Sequence, residues 1–313
     1  MSKQLLVVFG ATGNQGGSVI RYVLSDPDIS SRYSIRAITR DANRPESKAL
    51  ASKGIEVVSA DLDKPTTLPA ALKNVSFIFA TTNTDYQGNT REIETRQAKA
   101  LCDEALRQGA KYIIWSSMSH PNKISGGKLT QAAHFDVKAE IETYIRTLPI
   151  ESAFFAPGSF MQNYYTNQRP RPSPTNDGTY ILANLCHPTE TLIPLIDITD
   201  TGAWMNAILA DPDKYNGKFI AAAQGLYTYE QVVGIMSEVS GKTVKFHQMS
   251  DEVLKSVLPE GARGMLYEMN VLFRDYGYYG PTQKEDVQWA IEQARGELTD
   301  LEAFLRKTGF TLE

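Results

Sequence analysis

Residues 5–24, LLVVFGATGNQGGSVIRYVL, constrain the fold of this chain more than any other stretch. Four consecutive apolar residues, Leu5, Leu6, Val7 and Val8, read as a parallel strand buried on both faces, which has no need to alternate. Glycines follow at Gly10, Gly13 and Gly16, with Ala11, Thr12, Asn14 and Gln15 between them. From residue 16 to 24 the spacing turns helical, and Val19, Ile20, Val23 and Leu24 share one side. Strand, glycine turn and helix in that order form the phosphate-cradling start of a dinucleotide-binding unit. Gly10 permits the tight turn, Gly13 lets backbone approach a pyrophosphate, and Gly16 lets helix pack on strand. The helix N-terminus then presents N–H groups and a positive dipole end to phosphate. An ordinary glycine-rich turn is the plain alternative, and supporting residues further along the chain argue against it.

At 313 residues the chain is long enough for a doubly wound domain and a smaller second one. The net charge of −4 and the lack of a basic run argue against direct nucleic-acid binding. The two cysteines, Cys102 and Cys186, are far apart, which suggests no disulfide framework and fits a reducing compartment. Cys102 reads as a small core residue of a helix. The N-terminus runs directly into the first strand without a signal segment, and no apolar run is long enough to cross a bilayer. The expectation is a soluble protein of the cytoplasm, with the nucleus also open to it. Nothing in the spacing of His, Cys, Asp and Glu suggests a metal site.

Apolar strands alternate with amphipathic helices through the first half. Strands are expected at residues 33–39, 55–59, 75–80, 112–115 and 151–155, and a seventh at 218–222. Helices fit residues 44–53, 66–72, 90–108 and 131–147. This rhythm demands an α/β, doubly wound parallel sheet with helices on both faces. After Phe155 the rhythm fails. Residues 168–179 read as a loop, and 180–182 and 192–196 as short strands. Helices are expected at 229–240, 251–258, 262–273 and 301–307. The expected division is a nucleotide-binding domain from 1–157 with 197–224. A smaller mixed α/β cap is expected from 158–196 with 225–313, beside the C-terminal edge of the sheet where open α/β folds bind ligands.

The second strand ends in Ala37, Ile38, Thr39 and Arg40, where an NAD enzyme usually carries a ribose-binding carboxylate. Arg40, with Arg36 earlier in the strand, suits a 2′-phosphate instead. A charge-assisted contact of this kind is worth about 1.5–3 kcal/mol, enough to prefer NADP(H) over NAD(H). Against this, Arg40 also reads, less readily, as a solvated arginine, and the adjacent Asp41 is placed to neutralise it. Asp61 and Leu62 follow the third strand at the usual adenine position, although a carboxylate there also caps turns. Thr82 and Asn83 follow the fourth strand, beside the glycine turn.

The GxxGxxG spacing resembles extended and atypical short-chain dehydrogenases. Those enzymes place a Ser after the fifth strand, then a Tyr and, four residues on, a Lys on the next helix. The Tyr donates a proton, while the Lys lowers its pKa and holds the ribose. This chain has Ser116 and Ser117, and Lys138, but His134 at the tyrosine position. Lys138 reads either as the ribose lysine or as a surface lysine paired with Glu142. His134 reads as a proton donor or as a structural, cofactor-contacting histidine. A neighbouring ammonium would lower its pKa and favour the second role.

VVFGATGNQGGSV, AITR, AAHFDVKAEIETYIR and FFAPGSFMQNY together resemble the NmrA-like family of atypical short-chain dehydrogenases, as do residues 193–202 and the C-terminal DLEAFLRKTGF. The His-Phe-Asp-x-Lys helix is similar to the animal NADPH-sensor branch. The resemblance implies a Rossmann fold that binds NADP(H) without ordinary dehydrogenase activity. It places the pyrophosphate loop at Gly10 to Gln15, the 2′-phosphate at Arg40 with Arg36, further contacts at Thr82 and Asn83, and the ribose at Lys138. Ser159, Phe160 and Asn163 would lie against nicotinamide. Arg96 stands where the sensor branch has a phosphate-contacting lysine.

Two functions follow from these readings. In the first, NADP(H) occupancy orders loops and alters a surface for a regulatory protein partner; the resemblance also allows a homodimer. In the second, the chain is an NADPH-dependent reductase of a small-molecule acceptor such as a quinone, imine or conjugated carbonyl. Aromatic residues of the cap, Tyr164, Tyr165, Tyr227, Tyr229, Phe273, Tyr276, Tyr278 and Tyr279, would then line its pocket or simply pack the small domain.

Overall fold

The computed structural model describes residues 3–86 and 88–313. Its centre is a seven-stranded sheet of β1 (Gln4–Val8), β2 (Tyr33–Thr39), β3 (Glu56–Ser59), β4 (Phe77–Ala80), β5 (Tyr112–Ser116), β6 (Glu151–Pro157) and, late in the chain, Phe219–Ala222. The spatial order is Phe219–Ala222, β6, β5, β4, β1, β2, β3, and every pairing is parallel. The order reverses beside β1, between β1 and β4, which opens a crevice at their C-terminal ends. Leu6, Val7 and Val8 are fully buried, as strands covered on both faces require.

The Asn14–Ser25 helix packs one face on this sheet, with Val19, Ile20 and Val23 buried. Each fully buried side chain of that size contributes about 1.5–3 kcal/mol. Leu24, expected on the same face, is exposed. The Thr201–Ala210 helix, absent from the sequence reading, lies against this first helix. All but its last residue are buried, so it carries no amphipathic pattern to reveal it.

The remainder forms two small sheets with helices. In one, β7 (Ser159–Phe160) pairs in parallel with Ile193–Ile196, which pairs antiparallel with Gly225–Tyr227. In the other, Tyr180–Asn184 lies between Arg171–Pro172 and Val244–Gln248. The helices Tyr229–Ser240, Asp251–Val257, Arg263–Val271 and Leu301–Lys307 stand close to their expected bounds, and Gln283–Gln293 adds one. Tyr278 and Tyr279 tie this part to the end of β6, their hydroxyls donating to Pro157 O (3.0 Å) and Ala156 O (2.8 Å). Cys102 and Cys186 are buried free thiols, each pushed up to about 12 by burial, and so inert as nucleophiles. Among the described residues no helix is long and apolar enough to cross a membrane, and no cluster suits a metal ion.

Candidate cofactor and substrate site

A cleft of about 530 Å³ opens at the crevice beside β1. Its floor is the glycine turn. Gly10 has φ +63°, a conformation that L side chains adopt at a cost of roughly 1–2 kcal/mol. A Cβ at Gly16 would stand 2.3 Å from Gly10 O, so only hydrogen fits between helix and turn. The Asn14–Ser25 helix has no side-chain cap at Gly13, which leaves its first-turn N–H groups facing the cleft rather than a capping oxygen. Gln15 is fixed by Ser116, whose Oγ donates to Gln15 Oε1 at 2.8 Å. An open helix end behind a turn that tolerates no Cβ is a cradle suited to pyrophosphate.

Gly10, Gly13, Asn14, Gln15, Gly16, Thr82, Asn83, His134, Lys138, Ser159, Phe160 and Asn163 all line this cleft. Ala11 and Thr12 belong to the same turn but do not line it, and Ala11 is buried, with its N–H bonded to Ile38 O. Thr39 closes β2, Arg40 follows it, Asp61 and Leu62 follow β3, and Arg96 stands on the Thr90–Arg107 helix; none of the five lines the cleft. Asp41 faces Arg44 at 3.9 Å rather than Arg40, and Arg40 makes no hydrogen bond or ion pair among the described residues. Asp61 Oδ1 accepts from the Asp63 N–H at 3.1 Å, so Asp61 caps its turn.

Four expectations are corrected by the geometry. Arg36 is buried and turned away from the cleft. It donates to Ala71 O and Lys73 O (3.0 and 2.7 Å) and pairs with Glu56, so it is not free to meet a phosphate. Ser117 is not the serine of the cleft. Its Oγ donates to Glu142 Oε2 at 2.5 Å behind the strand, because side chains alternate along β5 and Ser116 takes the inner face. Glu142 therefore serves Ser117 and Arg146, not Lys138.

The third is the reading of Lys138 as a surface lysine paired with Glu142: the side chain is buried, and its carboxylate partner is Glu94. Lys138 Nζ donates to Glu94 Oε2 (2.5 Å), Thr82 Oγ1 (2.9 Å) and Thr82 O (3.0 Å). An ammonium has three donors, and all three are taken. Glu94 is itself fully buried and also accepts from the hydroxyls of Thr82 and Thr90. Burial pushes the Lys138 pKa down, while Glu94 opposes that shift. The sequence reading missed Glu94 altogether, since one carboxylate in a charged helix gives no signal of being buried.

The aromatic cap is the fourth. Only Phe273 and Tyr278 reach the cleft, stacked on each other at 4.8 Å. Tyr164 and Tyr229 are buried within the cap, and Tyr165 packs against Phe304 and Phe310. Met118, Phe135, Leu266 and Met269 complete the apolar wall instead.

His134 is buried on that wall. Its Nε2 lies 3.4 Å from Met269 Sδ, its Nδ1 has no hydrogen-bond partner among the described residues, and the Tyr86 ring stands 5.9 Å away. Burial, more than the Lys138 charge, brings its pKa down to about 4. At neutral pH the imidazole is uncharged and a poor proton donor. The Asp136 carboxylate on the same helix, also buried, is held by His120 Nδ1 (2.6 Å) and the Asn122 N–H (3.0 Å), and so anchors the loop after β5.

Residues 2–305 match the NmrA-like family. The chain belongs to that family. It is 30% identical over 320 residues to an NmrA-like family domain-containing protein of Dictyostelium discoideum, with 100% of both chains covered. Among solved structures it resembles NmrA, a negative transcriptional regulator crystallised with NADP. The TM-score is 0.80 at 23% identity, over 98% of this chain and 95% of that one. It also resembles an NADPH-dependent quinone oxidoreductase of Escherichia coli in complex with NADPH. There the TM-score is 0.74 at 22% identity, over 97% and 100% of the two chains. At these identities the two structures speak for a shared fold.

Proposed function

We propose that this NmrA-like chain binds NADP(H) and works as a redox sensor, presenting a different surface to a regulatory partner according to which form is bound. The observation that carries the reading is the engagement of all three Lys138 donors by Glu94 and Thr82, beside a histidine that is uncharged at neutral pH. A dehydrogenase needs a poised proton donor here. This chain has a cradle without one.

The glycine turn and the open helix end would hold the pyrophosphate, Thr82 and Asn83 the ribose side, and Ser159, Phe160 and Asn163 the nicotinamide side. Arg40, without an ion pair among the described residues, would meet the 2′-phosphate. When bound, the cofactor supplies a transferable hydride. The unit formed by 1–157 with 197–224 would carry it, and 158–196 with 225–313 would cover it. The protein would act in the cytoplasm or nucleus, as a monomer or a homodimer.

A sensor needs its two ligand forms to favour different conformations, and about 1.4 kcal/mol gives a tenfold bias. Hydrogen exchange of residues 83–90 and 159–168 with NADPH and with NADP⁺ tests this. Different protection is expected, and identical protection would overturn the sensor reading. The apolar wall of Met118, Phe135, Leu266, Met269, Phe273 and Tyr278 favours a second reading. In that reading the chain reduces a flat acceptor, a quinone, imine or conjugated carbonyl, that needs little acid assistance. The resemblance to the quinone oxidoreductase supports it.

A further inference from the structure

Past the ends of β2 and β3, the Arg96 guanidinium and the Gln97 amide both hold one carboxylate. Asp63 Oδ1 accepts from Arg96 Nη2 at 2.9 Å and from Gln97 Nε2 at 3.0 Å. The Gln97 amide, then Arg96 and, least, Arg40, hold the Asp63 carboxyl below the ordinary range. Asp61 Oδ1 accepts from the Asp63 N–H.

We infer that Asp63 is a specificity-determining residue of the dinucleotide site: its carboxylate competes with a 2′-phosphate for Arg96, and so weakens NADP(H) while leaving NAD(H) untouched. This deepens the proposed cofactor reading and rests on it. The carboxylate is an oxygen-bearing anion at Arg96, which is the chemistry of the group it would compete with. A 2′-phosphate arriving there must take Arg96 from Asp63 and then remain beside its negative charge. The Asp63 and Arg96 side chains are each about half exposed (51% and 55%). Such a pair has little worth of its own, so the exchange is easy and the lasting penalty is repulsion between like charges. That repulsion acts well within a Debye length and is weakened by salt. For a sensor the result is a site that fills at a higher concentration of NADP(H).

The test is Asp63→Asn, which keeps the size of the side chain and an oxygen for Gln97. Native protein and variant are titrated with NADPH and with NADH, following dinucleotide fluorescence at low and high salt. We expect NADPH to bind about three- to tenfold more tightly to the variant, with the gain shrinking at high salt. NADH affinity should stay within about twofold, the size of effect usual for a surface substitution, since NADH brings no 2′-phosphate to the carboxylate. Equal changes for both dinucleotides, or weaker NADPH binding, would overturn the inference while leaving the cofactor site standing. Native protein that binds neither dinucleotide would overturn the cofactor reading and this inference together.

Discussion

Lys138 Nζ lies 2.5 Å from Glu94 Oε2, with the carboxylate fully buried and the ammonium held also by the hydroxyl and carbonyl oxygens of Thr82. The pair joins the helices Thr90–Arg107 and Ala133–Ile145 and pins the end of β4, where a ribose would lie. In this setting the lysine organises the wall of the cleft.

Removing one partner of such a pair leaves the other charge buried and alone. Glu94→Gln should therefore destabilise the fold by about 3–5 kcal/mol, whereas Glu94→Leu with Lys138→Met should recover most of that loss. Urea unfolding checks both. A Glu94→Gln protein as stable as the native one would mean that the pair is solvated.

The same geometry bears on chemistry. Installing the missing tyrosine by His134→Tyr should give no carbonyl reductase, because no Lys138 donor is left to lower the phenol pKa. NADPH oxidation with simple aldehydes and ketones is the measurement. A gain of turnover would show that Lys138 can leave Glu94.

His134 makes stability depend on pH. Its pKa is about 4 in the folded chain against an ordinary 6.5. Between those values the unfolded chain holds a proton that the folded chain does not, so stability falls as pH drops from 6.5 to 4. The difference amounts to about 3 kcal/mol when complete. Nothing from this group changes above pH 7. In His134→Phe, this part of the acid sensitivity should vanish, as seen by urea unfolding at pH 7 and pH 4.5.

Gly16 leaves no room for a methyl group, since a Cβ would press on Gly10 O and C and on Phe9 O. Gly16→Ala should cost about 1–3 kcal/mol through the forced backbone shift and displace the phosphate cradle. Thermal unfolding and NADPH titration together check this, and an alanine variant that binds normally would contradict the cradle.

Arg40→Ala should erode binding of NADP(H) far more than of NAD(H), by about 1.5–3 kcal/mol, if Arg40 meets the 2′-phosphate. Paired titrations with NADPH and NADH decide it. Equal losses for both would remove Arg40 from that role.

The parallel sheet was legible because each strand is a short apolar run followed by a helical period, from Leu6 to Val8 through Phe154 and Phe155. The glycine turn was legible because Gly10 and Gly16 are demanded by backbone geometry that sequence records directly. The Thr201–Ala210 helix was hidden because it is apolar all round, and periodicity needs a polar face to contrast with. At the site, the sequence showed which residue types were present but not how they were already used. Arg36, Ser117 and Lys138 all carried suitable groups, and each is occupied by a partner from a distant stretch: Ala71 and Lys73, Glu142, and Glu94 with Thr82.

The central claim is a cofactor site without a proton-donating dehydrogenase centre. It is tested most directly by following NADPH absorbance at 340 nm with the purified protein, shown by fluorescence to be saturated with NADPH, against a panel of aldehydes and ketones. The account predicts bound NADPH and no consumption. Sustained consumption that collapses in Lys138→Ala would contradict it and make Lys138 part of a working catalytic centre.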